Sequence, residues 1–140
     1  MTLVVVDASV ALKLFLAETG SAEAEALVNN HDMIAPDLVI PESLNALWKA
    51  VRRKFVQAGE AQQIAAAIAS TFFALVPTQE LAAHAWEIVV LLDHPAYDSF
   101  YLALAEREGC RFITADDRLY RKTRATKFAK LVVPLLPRNA

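Results

Sequence analysis

Apolar and polar positions follow two rhythms along the chain. Continuous or period-two apolar runs lie at residues 3–6 (LVVV), 33–35, 72–76, 111–114 and 131–135. Short runs of this kind, rich in β-branched and aromatic residues, predict strands. Between them, apolar residues recur with the helical period. Residues 10–17 follow the first strand, 21–29 are rich in Ala and Glu, and 41–57 carry Leu44, Leu47, Trp48 and Val51 in an i, i+3, i+4, i+7 stripe. Residues 60–71 are Ala-rich with Ile64 and Ile68 four apart. Helical patterns follow at 79–92 and 95–108, the second closed by Gly109, and a short helix opens near Asp116. Alternating strands and helices predict an α/β fold, with a parallel sheet covered by helices on both sides. No repeat, low-complexity tract or linker interrupts the pattern, so residues 1–140 read as one domain.

The apolar fraction of 56% excludes a disordered chain. The start, MTLVVVDASVALKLFLA, lacks a basic region and is broken by Asp7 and Lys13, unlike a signal peptide. No apolar run reaches the roughly 18–20 residues that span a bilayer, so a cytoplasmic protein without membrane contact is expected. The single cysteine, Cys110, suits a reducing compartment and reads as a small buried hydrophobe beside a strand. Three glycines are too few for a Gly-rich phosphate loop. Net charge is −2, yet residues 107–130 concentrate Arg107, Arg111, Arg118, Arg121, Lys122, Arg124, Lys127 and Lys130. This segment reads either as a solvated helix face or as a contact surface for a phosphate backbone.

The acids fall at particular points of the pattern. Asp7 ends the first strand. Glu42 follows Pro41 near a helix start, shortly after the second strand. Asp98 sits in the first turn of PAYDSFYLALA, and Asp116 follows FIT in FITADDRLY. In a parallel α/β sheet, strand ends and the following helix starts share one edge, where such folds place their sites. Each acid alone has a structural explanation as a cap or a dipole partner. Together they are expected to converge on one cleft. Asp98 shares a helical face with Leu102 and Ala105, so it should point inward. Asn45 lies one turn from Glu42 and can orient it. Clustered carboxylates repel one another. Mg²⁺ or Mn²⁺ relieves that, because hard cations take oxygen ligands, and such a site suits phosphoryl chemistry. His31, His84 and His94 have no ligand spacing, so zinc is not expected. Trp48, Trp86, Tyr97 and Tyr101 read as packing or interface residues.

The stretches VVVDASV, PESLNAL, YDSFYLALA and FITADDRL, in this order, resemble a PIN-domain ribonuclease, specifically a VapC-type toxin of a toxin–antitoxin pair. The resemblance covers nearly the whole chain. It places the family's acidic quartet, catalytic and metal-binding, on Asp7, Glu42, Asp98 and Asp116, and its small polar residues on Ser9, Asn45 and Thr114. Asp117 is either a fifth carboxylate or a helix cap. The resemblance implies a single PIN-like domain with about five parallel strands, Mg²⁺- or Mn²⁺-dependent cleavage of RNA, a homodimer and a small antitoxin partner. Arg118, Arg121 and Arg124 are then the candidate RNA contacts. Apolar faces on the helices at 41–57 and 60–71 add to the expectation of a dimer and an antitoxin groove. The main alternative is a non-catalytic PIN-like module that binds RNA or protein. Its mark would be a missing acid, and none is missing. An aspartate-nucleophile phosphatase is a weaker alternative, since it needs a second acid two residues after the first, where this chain has Ser9.

Overall fold

A computed structural model describes residues 2–137. Five strands, β1 (Thr2–Val6), β2 (His31–Pro36), β3 (Ala74–Val76), β4 (Arg111–Thr114) and β5 (Val132–Pro134), form one sheet in the order β3-β2-β1-β4-β5. Every pairing is parallel, and in register Val5 of β1 faces Ile34 on one side and Phe112 on the other. The central strand is sealed: Val5 and Val6 have no exposed surface. Burial of a branched side chain contributes roughly 1.5–3 kcal/mol, so β1 is a fixed rod. The chain winds from β1 outward through β2 and β3, then crosses back to β4 on the other side of β1. The winding reverses between β1 and β4. A crevice opens at such a reversal beyond the carboxyl ends of the strands.

The helices are α1 (Ala8–Ala11), α2 (Ser21–Asn30), α3 (Val39–Arg52), α4 (Ala58–Ala67), α5 (Thr78–Leu92), α6 (Ala96–Glu108) and α7 (Asp117–Thr123). The helix expected over 10–17 is shorter and passes into a 3-10 turn at Leu12–Leu14. The helix expected over 60–71 begins at Ala58 and also closes in a 3-10 turn, Ile68–Thr71. His31 opens β2 and is bonded to the Thr2 hydroxyl at 2.7 Å. α3 buries Val39, Ser43, Leu47 and Ala50, while Leu44 and Trp48 are 41% and 52% exposed. The small Ser43 and Ala50 lie on its buried face, so half of the expected stripe faces out. The apolar face of α4 is consumed in a second core, where Ala61 and Ile64 join Leu12, Leu47, Ala50, Val56 and Ile68.

α6 lies against α5 and against β1, β2 and β4. Residues Tyr101 to Ala105 are all buried, so this helix has no solvent face along its middle. It runs back toward the amino ends of the strands, which puts its own amino end at the carboxyl edge of the sheet. Cys110 is half-buried against the main core, and burial pushes its thiol up. No helix of the described residues is long and apolar enough to cross a membrane.

Candidate metal centre

β1 delivers Asp7 to the crevice and the chain turns at once into α1. Asp7 caps that helix: its Oδ1 accepts the Ser9 N–H at 3.1 Å and also the Ser9 hydroxyl. Its Oδ2 accepts the Thr114 hydroxyl at 2.6 Å. The same two hydroxyl oxygens accept as well. Ser9 Oγ takes the Ala115 N–H at 3.1 Å, and Thr114 Oγ1 takes the Asp116 N–H at 3.0 Å. Two small polar side chains thus bind the end of β1 to the end of β4. Asp7 is only 8% exposed. Burial lifts its carboxyl from the ordinary 3.8 to about 6, against the bonds from Ser9 and Thr114 and with the charges of Asp98 and Asp116.

Glu42 stands in the first turn of α3, where an acid complements the helix dipole. Its Oε1 accepts the phenolic hydroxyl of Tyr101. Burial raises its carboxyl, opposed by that bond and reinforced by Asp98. Asp98 occupies the first turn of α6, with Oδ2 at 2.7 Å from Nε2 of His94. Burial raises its carboxyl too. His94 works against the shift and the charge of Asp116 adds to it. Asp116 caps α7, accepting the N–H groups of Arg118 at 3.0 Å and Leu119 at 3.2 Å. The capping role therefore falls to Asp116, while Asp117 lies in the first turn and pairs with Arg121.

The structure links the four acids electrostatically: Asp7 with Asp98 and Asp116, Glu42 with Asp98, and Asp98 with Asp116. Among the described residues, however, no group of three or more His, Cys, Asp or Glu side chains is arranged to hold a metal ion as it stands. Asp7, Glu42 and Asp98 each have an oxygen engaged by a neighbouring side chain. The donor chemistry suits a hard divalent cation, because the linked acids offer only carboxylate oxygens and the burial of Asp7, Glu42 and Asp98 heightens the repulsion. A cavity of about 440 Å³ opens beside Asp116, walled in part by Lys13, Thr114, Tyr120, Pro134 and Leu135.

Two residues at the site escape sequence reasoning. Tyr101 reads as plain packing, and its partner Glu42 lies 59 positions away. His94 and Asp98 are four apart, but His94 precedes the helix, so helical spacing gives no signal for the contact. Asn45, expected to orient Glu42, is exposed on α3, and the bond to Glu42 comes from Tyr101. In the basic segment, Arg118 is exposed. Arg121 and Arg124 are exposed as well, and Arg124 is in addition tied to the fold, its guanidinium 3.9 Å from the Tyr120 ring and donating to the Val132 carbonyl at 2.8 Å.

Residues 4–125 match the PIN domain family. The chain belongs to this family. It is 33% identical over 133 residues to ribonuclease VapC3 of Pyrobaculum aerophilum, covering 93% of this chain and 98% of that protein. It is 32% identical over 117 residues to ribonuclease VapC9 of Mycobacterium tuberculosis, covering 84% and 88%. Among solved structures, PAE2754 of Pyrobaculum aerophilum superposes with a TM-score of 0.69 at 25% identity, covering 96% of this chain and 90% of that one. Mycobacterium tuberculosis VapC20, a sarcin–ricin loop cleaving toxin, shares the fold with a TM-score of 0.61 at 20% identity, covering 86% and 95%. The chain is thus a PIN-domain protein homologous to VapC-family toxin ribonucleases.

Proposed function

We propose that this PIN-domain protein is a Mg²⁺- or Mn²⁺-dependent endoribonuclease, the toxin of a toxin–antitoxin pair acting in the cytoplasm. One observation carries the reading. At the reversal between β1 and β4, a nearly buried Asp7 is held by two hydroxyls and feels the charges of two further acids. The clustering of like charges costs a fold stability without a cation, since such charges in a low-dielectric pocket oppose one another.

In this reading Asp7, Glu42, Asp98 and Asp116 hold the metal. A bound Mg²⁺ or Mn²⁺ offsets the charge that develops on a phosphodiester during cleavage and acidifies water. Ser9 and Thr114 keep the Asp7 carboxylate oriented and favour its ionised form. His94 does the same for one oxygen of Asp98. Arg118 and Arg121 extend the site toward the RNA backbone. The alternative of a non-catalytic module gains nothing, because all four acids are present and electrostatically linked. The phosphatase alternative fails on Ser9, whose hydroxyl is committed to Asp7.

Purified protein free of antitoxin should cleave RNA with Mg²⁺ or Mn²⁺ and stop in EDTA. Cleavage that persists in EDTA, after contaminants are excluded, overturns the metal mechanism. A homodimer is part of the same proposal. It is supported by Trp86, Val90 and Leu91 of α5, which are 59–65% exposed. A strictly monomeric protein at high micromolar concentration, by sedimentation, removes the dimer. The antitoxin would enter the groove lined by Leu12, Phe15, Leu16, Ala46, Ala50 and Phe55.

A further inference from the structure

We infer that Tyr101 is a positioning residue for the metal site: its hydroxyl, anchored in the core, holds one oxygen of Glu42 so that the other remains presented to the cation. The inference rests on the divalent-cation reading of the four acids and adds a residue to it.

Tyr101 is 1% exposed and is among the largest fully buried side chains of the protein. Its ring stacks on Phe112 of β4, with centroids 5.3 Å apart and planes 11° from parallel. Phe112 has no exposed surface. The phenol is therefore clamped between α6 and the sheet and cannot swing without disturbing the core. Its hydroxyl emerges at Glu42 Oε1 and donates there. Glu42 is the opposite kind of group. It is half-buried at the start of α3 and has three side-chain torsions to order. A carboxylate that must meet a cation in one geometry benefits from a rigid donor on its other oxygen.

Tyr101 and Asp98 also lie three apart on α6, one turn of the same helix. A single rigid element thus carries one acid of the site and the donor that orients a second acid on another helix. The phenol is suited to this task. A phenol hydroxyl is a neutral donor: it gives Glu42 Oε1 its hydrogen bond and brings no charge to the site. A lysine or arginine in its place would cancel charge that the site offers to the cation.

The test measures Mn²⁺ affinity of the intact protein by calorimetry and by electron paramagnetic resonance of free Mn²⁺, alongside thermal melts without metal. Tyr101→Phe keeps the ring and removes only the hydroxyl. It should weaken Mn²⁺ binding by about 10–100-fold, the usual range for a group that orients a ligand. Combined with Glu42→Gln, it should cause little further loss, because both changes disable the same ligand. A merely structural tyrosine would lower the melting temperature and leave the affinity of the folded protein unchanged.

A second measurement needs no variant. In the wild-type protein the Tyr101 hydroxyl proton is shielded and hydrogen-bonded, and its nuclear magnetic resonance signal should shift as Mg²⁺ saturates the site. If Glu42→Gln and Asp98→Asn weaken Mn²⁺ binding while Tyr101→Phe leaves it within twofold of wild type, the positioning role falls and the metal reading stands. A hydroxyl signal unmoved by saturating Mg²⁺ also removes the role. If the wild-type protein binds no Mn²⁺, both fall together.

Discussion

The hydroxyl of Thr114 donates to Oδ2 of Asp7 at 2.6 Å, joining residues 107 positions apart at the carboxyl ends of two neighbouring strands. The bond lies where the winding of the sheet reverses, and Thr114 Oγ1 also takes the N–H of Asp116, the cap of α7. One buried hydroxyl therefore sets the orientation of one acid and the approach of another.

Thr114→Val keeps the shape and strips both bonds. It should destabilise the protein by about 1–3 kcal/mol, the usual cost of leaving buried polar groups unpaired. It should also raise the Asp7 carboxyl further, since the lost bond lowers it now. Denaturant melts and a carboxyl titration by nuclear magnetic resonance measure the two effects. Unchanged stability would mean that water or a backbone shift replaces the hydroxyl.

Asp7 gives a pH dependence of known sign. Its carboxyl is raised in the fold from 3.8 to about 6, so the folded state disfavours the ionised form. Metal-free stability should fall as pH rises from about 4 to about 6 and level off above that. The loss is about 3 kcal/mol at most, because a tenfold change in a protonation equilibrium corresponds to about 1.4 kcal/mol. Asp7→Asn has no such group to ionise. The stability difference between variant and wild type should therefore grow over that interval in favour of the variant. Melts at pH 4 and pH 8 test this, and a difference that does not change with pH removes Asp7 from the strained cluster.

Asp98 is raised for the same leading reason, burial, despite the bond from His94. Metal-free Asp98→Asn should be more stable than wild type at neutral pH, by about 0.5–2 kcal/mol given the range of effective dielectric. The gain should shrink at acid pH, where the wild-type carboxyl is protonated. It should shrink again with saturating Mn²⁺, which stabilises the wild type by mass action. A variant clearly less stable at neutral pH would make Asp98 a structural partner of His94.

Two separable effects are predicted for the basic segment. Arg124→Ala should lower stability by about 1–2 kcal/mol, through loss of the bond to Val132 and the stack on Tyr120. Arg118→Glu with Arg121→Glu should leave the core intact, weaken RNA binding and flatten its salt dependence, because fewer counterions are released. Binding assays at about 50 and 200 mM salt decide this. An unchanged salt slope would assign these arginines to a solvated face.

The sequence by itself determined the alternation of strands and helices, and hence the parallel sheet, because hydrophobic period and strand length are local properties. It also determined where the four acids stand. A strand end at Asp7, helix starts at Glu42 and Asp98, and a cap at Asp116 belong to one edge of any such sheet. Tertiary structure decided what touches what. Leu44 and Trp48 carry the helical stripe as clearly as Leu47, yet they face outward, because the burial of α3 runs through Ser43 and Ala50. The Ala-rich face of α4 is surplus by periodicity alone, and the second core claims it. Tyr101 meets Glu42, and Thr114 meets Asp7, only because chain crossings bring distant positions together. Periodicity along a chain reports which face of an element is apolar. It carries no record of which other element meets that face, and the hydrogen bonds that orient these acids are made only by that meeting.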